Sequence, residues 1–193
     1  LEDLFGNHSM TRWATVPELS TEFEDAWKAS GVTCSFQNAG EEGNDPTVLM
    51  KRLARHTFVT DQMPNLMRRA IRPEDIKKAK KEKKHCFYMT GNGVPLAGDE
   101  RSPEEELRYI RVFFQLGIRM MHLTYNRRNP IGDGCAELAN AGLSDFGKEA
   151  VKELNRIGVI IDISHTGRQT SLDAISVSDH PVIMSHSCVR ALN

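Results

Sequence analysis

The sequence predicts an α/β fold, a (β/α)8 TIM-type barrel of which this chain carries about five to six βα units. Three observations point there. Short apolar runs rich in β-branched residues begin near Val32, Cys86, Ile118, Val159 and Pro181, with helical segments between them, so the strands run parallel with right-handed crossovers. Neither a Gly-x-Gly-x-x-Gly fingerprint after a strand nor a Gly-Lys-Ser/Thr loop occurs, which disfavours the nucleotide-binding open sheet that the same alternation allows. Polar residues gather at the strand carboxyl ends, Asn38, Asn92, Tyr125, Asn126, His165 and His186, and that is the edge on which a barrel builds its active site. A complete barrel takes about 250 residues. The expectation is therefore one barrel domain over residues 1–193, truncated on its C-terminal side by two or three strands.

In chain order, residues 1–4 are a candidate strand end. Residues 17–29 read as a helix with Leu19, Phe23, Ala26 and Trp27 on one face and Ser30-Gly31 as its stop. Residues 32–38 have strand character and lead into the Gly-rich, acidic loop 39–44. Asp45 caps a helix that Pro46 opens and that runs to about Arg55; residues 63–70 read as a second helical piece. Pro73-Glu74-Asp75 opens a short helix ending in lysines, and residues 86–90 form a strand entering Gly91-Asn92-Gly93. The next helix is the best marked, with Ser102 as cap, Pro103 in the first turn, Glu105 completing a capping box and Gly117 as stop. Its apolar face is Leu107, Ile110, Phe113 and Phe114. Residues 118–124 are a strand and 125–130 its carboxyl-end loop. Ser144 caps a helix ended by Gly158, with Phe146, Ala150, Val151 and Leu154 on one side.

Within residues 158–187 one pattern occurs twice: an apolar run, then Ser, His and a hydroxyl residue, as Ser164-His165-Thr166 and Ser185-His186-Ser187. Both runs are apolar on both faces, which predicts two fully buried parallel strands. Thr166 and Gln169 have the spacing of a capping box for the helix between them. Parallel neighbours would bring His165 and His186 to one edge, about 5 Å apart in the pairing direction. A bound metal would explain that convergence; the plain alternative is that each histidine caps its strand or bonds a local carbonyl.

With 39% hydrophobic and 26% charged residues and a net charge of −1, the chain has no general field to attract nucleic acid or anionic lipid. The basic run 77–84 reads as a solvated helix face. Cys34, Cys86, Cys135 and Cys188 are widely spaced and read as free thiols, which suits a reduced, cytoplasmic setting. No apolar stretch approaches the roughly 18 residues of a membrane span. No secretory signal opens the chain, though it begins at Leu1 rather than Met and a leader could precede it.

Residues 143–147 (Leu-Ser-Asp-Phe-Gly), 151–165 (Val-Lys-Glu-Leu-Asn-Arg-Ile-Gly-Val-Ile-Ile-Asp-Ile-Ser-His) and 181–187 (Pro-Val-Ile-Met-Ser-His-Ser), extended upstream by 114–120 and 123–126, resemble the membrane dipeptidase (renal dipeptidase) family of zinc metallopeptidases. The likeness is that of a divergent, bacterial-type member over its N-terminal two thirds. It implies a (β/α)8 metallohydrolase with one or two zinc ions, His165 and His186 binding one of them. The family's bridging glutamate falls at Asn92, an amide without negative charge. Its first-strand His-x-Asp corresponds to Leu1-Glu2-Asp3, which keeps Asp3 as a ligand and loses the histidine. Its substrate-contacting histidine corresponds to Tyr125, beside Asn126. The implied reaction is cleavage of a dipeptide or similar small amide by a metal-activated water. The alternative, favoured by Asn92 and the lost histidine, is a catalytically weakened barrel that binds a small molecule. A second copy of the chain in a homodimer is the other candidate partner. Asp133 and Asp162 are candidate supports for the histidines; their plain readings are a turn residue and an arginine partner.

Overall fold

A computed structural model describes residues 21–39, 45–98 and 102–188. The expected strand end at residues 1–4, with Asp3, lies outside them. The chain divides into two compact units, Leu1–Gln37 with Lys51–Met89, and Asn38–Met50 with Thr90–Asn193.

The elements that lie wholly or partly in the first unit are helix α1 (Thr21–Ser30), strand β1 (Cys34–Asn38), helix α2 (Pro46–Gln62), strand β2 (Met67–Ala70), helix α3 (Pro73–Lys81) and strand β3 (His85–Gly91). Trp27 of α1 stacks on His85 and Phe87, with ring centroids 4.3 and 5.5 Å apart, whereas Ala26 of the expected face is exposed. Beside β1, the Cys86 N–H donates to the Thr33 carbonyl at 2.8 Å. Strand β2 replaces the helical piece expected over 63–70. Pro64 disfavours helix at the residue before it, so α2 ends at Gln62, and the chain after the turn pairs in parallel with β3, Met67 opposite His85 and Ala70 opposite Tyr88. Helix α3 opens as expected: the Asp75 carboxylate accepts the Ile71 and Arg72 N–H groups at 3.0 and 2.9 Å. Its Ala79 packs into a small core with Ala70 and Cys86.

The second unit completes β3 and adds helix α4 (Pro103–Gln115), strand β4 (Met120–His122), helix α5 (Asp145–Ile157), strand β5 (Ile160–Asp162) and helix α6 (Arg168–Val177). β3 pairs with β4 and β4 with β5 in parallel: Gly91 lies opposite Met121, and Met120, Met121 and His122 lie opposite Ile160, Ile161 and Asp162. The local helix signals act as read. Asp45 accepts the Thr47 N–H at 2.7 Å, Ser102 the Glu105 N–H at 3.3 Å and Ser144 the Gly147 N–H at 2.9 Å, and Gly158 ends α5 at φ +89°. Leu107, Ile110 and Phe113 of α4 and Ala150, Val151 and Leu154 of α5 are buried, and the two helices pack together. Phe114 is half-buried under the Arg119 guanidinium, 3.9 Å from its ring centre.

Two further local expectations differ from what the structure contains. Thr166 does not cap α6; Gly167 stands at the cap, and the Gln169 N–H is met instead by the Asn140 side chain at 2.8 Å, so a distant loop satisfies the helix end. The run 181–184 is a single parallel bridge of Ile183 to Asp162 and not a fully buried strand. It pairs with β5 through that bridge, Val182 and Ile183 are half-buried and Met184 is 58% exposed. The four cysteines are free thiols. No helix among the described residues is long and apolar enough to cross a membrane.

Candidate metal centre

The centre stands at the carboxyl edge of β4 and β5. Register places His122 directly opposite Asp162, and parallel partners in register send their side chains to the same face. His122 Nε2 lies 2.8 Å from Asp162 Oδ2, with both side chains buried. Asp162 Oδ1 accepts the Ser164 and Ser185 N–H groups at 2.9 and 3.2 Å, and Oδ2 also accepts the Ser185 hydroxyl in a short hydrogen bond. Burial pushes the Asp162 carboxyl up, but the hydrogen bonds from His122, Ser185 and the Ser164 N–H outweigh it and hold the group well below the usual carboxylate range.

The repeated Ser-His pairs meet here and are cross-linked. Ser164 Oγ and Ser185 Oγ are 3.2 Å apart, the His186 N–H donates to Ser164 Oγ at 3.1 Å, and His186 Nδ1 lies 2.8 Å from Ser185 Oγ. The His165 and His186 rings stand edge to face with centroids 4.8 Å apart; the His122 ring is 5.8 Å from the first and 5.5 Å from the second. One ligand atom each from His122, Asp162 and His186 falls within 4.8 Å of the others. Nothing in the sequence singles out His122, because a lone histidine inside the apolar run 118–124 looks like a strand residue. Its one signal is its position in register with Asp162. Its Nδ1 is buried with no hydrogen-bond partner among the described residues.

His165 is held from the loop after β4. Its ring stacks on Tyr125 at 4.0 Å and 15°, its Nδ1 lies 2.9 Å from Asn126 Oδ1, and its carbonyl accepts the Cys135 N–H at 2.7 Å. These contacts keep a non-glycine residue at φ +61°, a conformation that persists only where its surroundings determine it. Gly134 makes the loop's close approach: a Cβ there would lie 2.1 Å from the Tyr125 carbonyl oxygen. Asp133 serves the same loop. Its carboxylate accepts Arg128 Nε at 2.5 Å and the Ala141 N–H at 2.7 Å, and the guanidinium followed by that N–H holds it below the usual range. The arginine partner foreseen for Asp162 thus belongs to Asp133, and the histidine partner belongs to Asp162. Asn92 is half-buried one residue beyond Gly91, the partner of Met121, and so level with His122.

The family model for membrane dipeptidases (peptidase family M19) matches residues 15–193. This chain belongs to the membrane dipeptidase family. Over 178 residues it is 34% identical to Dipeptidase tcpJ of Claviceps purpurea (strain 20.1), a match covering 91% of this chain and 37% of that one. Over 97 residues it is 33% identical to Dipeptidase 3 of Mus musculus, covering 47% of this chain and 20% of the other. In structure it resembles an amidohydrolase from Pseudomonas aeruginosa, with a TM-score of 0.74, 27% identity and coverage of 86% of this chain and 48% of that one. A metallo peptidase from Rhodobacter sphaeroides, solved with a phosphinate mimic of the dipeptide L-Ala-D-Ala, shares the fold at a TM-score of 0.64 and 17% identity. The α/β fold with its parallel sheet is part of a (β/α)8 barrel. The chain spans about half or less of the length of these relatives.

Proposed function

We propose that this chain carries the metal-binding edge of a metal-dependent hydrolase that cleaves a dipeptide or similar small amide. The observation that supports this most directly is the meeting of His165 and His186, ring centroids 4.8 Å apart, beside the buried His122–Asp162 pair. Imidazoles are donors that zinc favours, and a carboxylate next to them adds the negative charge that favours a cation, so the residues present suit zinc. His165 and His186 would hold the ion. When bound, zinc supplies Lewis acidity and an activated water at neutral pH. The protein's own residues do the rest of the work described by the geometry. Asn126 and Tyr125 fix the His165 ring, Ser185 fixes His186, and Tyr125, stacked at the open edge, is the side chain that meets substrate. The dipeptide class rests on relatives named as dipeptidases.

Metal analysis of the intact protein is expected to find one or two zinc ions per chain, and a chelator to abolish dipeptide hydrolysis that added zinc restores. Hydrolysis indifferent to chelation, or no bound metal, would overturn the reading.

Asn92 bears on the number of ions. Asn92→Glu supplies a charged oxygen able to bridge two cations, so a second metal is expected to bind with thermal stability retained. If the position instead faces a pocket adapted to an amide, the added carboxylate becomes a buried unpaired charge costing a few kcal/mol. Lost stability with no metal gained would contradict a two-metal site and favour the small-molecule binder.

A further inference from the structure

The hydrogen bonds around Asp162 admit one consistent placement of protons. An ionised carboxylate only accepts, and its two oxygens offer about four lone-pair positions. Four donors occupy them: the Ser164 and Ser185 N–H groups at 2.9 and 3.2 Å on Oδ1, and His122 Nε2–H at 2.8 Å with the Ser185 hydroxyl on Oδ2. A serine hydroxyl has one proton, and that of Ser185 points at Asp162. In the 2.8 Å contact between Ser185 Oγ and His186 Nδ1 the donor is therefore Nδ1–H, which makes Nε2 the lone-pair nitrogen of His186. By the same reasoning Ser164 donates its hydroxyl proton to Ser185 at 3.2 Å, while its own oxygen accepts the His186 N–H at 3.1 Å. Every proton in this cluster runs toward Asp162.

We propose that Asp162 and Ser185 are positioning residues that select the Nδ1–H tautomer of His186 and present its Nε2 to a metal ion, Asp162 itself staying outside the coordination shell. To ligate, Asp162 would have to give up one of four donors, and those donors would be left unmet in a buried site. Its nearness to His122 and His186 marks it as their common anchor. His165 has an independent anchor. Asn126 Oδ1 stands 2.9 Å from its Nδ1, and an amide oxygen only accepts, so His165 Nδ1 is the donor. Two histidines, one after β5 and one after the Ile183 bridge, thus reach the same tautomer by different routes, one through a loop amide and the other through a serine and a carboxylate. Metal-bound histidines are commonly oriented through their other N–H in this way.

This inference rests on the metal-centre reading above, and the test separates the two. Nitrogen NMR of the imidazole side chains in the metal-free intact protein reads the tautomers without any metal; zinc affinity is then measured by chelator competition. Wild type is expected to show Nδ1–H at both His165 and His186. Ser185→Ala, at an exposed position, is expected to lose that preference at His186 alone and to weaken zinc by about 10- to 100-fold, and Ser185→Thr to restore both. Asn126→Ala is expected to disturb His165 alone. Nε2–H at His186 in wild type, or an unchanged tautomer and zinc affinity in Ser185→Ala, would overturn the proposal. The expected tautomers with no zinc bound would sustain the proton assignment and reject the metal-centre reading.

Discussion

Asp162→Ala is expected to lower the unfolding free energy of the intact protein by about 4 kcal/mol, one of the largest effects of any single substitution at the site. The carboxylate is fully buried and meets four donors: two backbone N–H groups, one imidazole N–H and one hydroxyl. Removing it leaves those donors without an acceptor, at about 1–3 kcal/mol each before relaxation and solvent entry reduce the sum. Asp162→Asn keeps the volume but puts an NH2 group against other donors, so it is expected to recover only part of the loss. Urea unfolding of the three proteins checks this. A loss below about 1 kcal/mol for Asp162→Ala would mean that water replaces the carboxylate, and the anchoring role would fail.

Gly134→Ala is the second. Its Cβ would lie 2.1 Å from the Tyr125 carbonyl oxygen and 2.5 Å from the Asn126 carbonyl carbon and oxygen, all backbone atoms, so no rotamer change relieves the clash. The segment carrying the two residues that hold His165 must move. A destabilisation of about 3 kcal/mol is expected, together with weaker zinc binding through the displaced Asn126 and Tyr125. Gly158→Ala is the control. At φ +89° with nothing within 4 Å of the added carbon, it carries only the left-handed backbone cost of about 1–2 kcal/mol and leaves zinc affinity unchanged. Equal effects of the two substitutions on zinc affinity would show that the close approach at Gly134 does not position the site.

The loop around Gly134 also shows why part of the centre was hidden in the sequence. Asn126 and Tyr125 stand out as polar residues at a strand end, but the glycine that seats them reads only as a turn. Asp133 and Asp162 look alike in the sequence, each a lone acid near a glycine or an apolar run. Their roles separate only when Arg128 folds onto one and His122 lies in register with the other. Likewise β2, with two arginines in its four residues, has no strand pattern of its own; it becomes a strand because β3 offers it a ladder.

By itself the sequence determined whatever depends on near neighbours along the chain. The caps at Asp45, Ser102 and Ser144, the stop at Gly158 and the alternation that makes the sheet parallel are local signals, and each acts where it stands. The twice-repeated Ser-His pattern was legible for the same reason, and so was the expectation that its two imidazoles converge. Tertiary structure alone decided the third histidine, which of the two candidate acids anchors the cluster and the direction of each hydrogen bond. Those depend on strand register, which sets His122 of β4 opposite Asp162 of β5, 40 residues later in the chain, and no local pattern encodes a pairing at that distance.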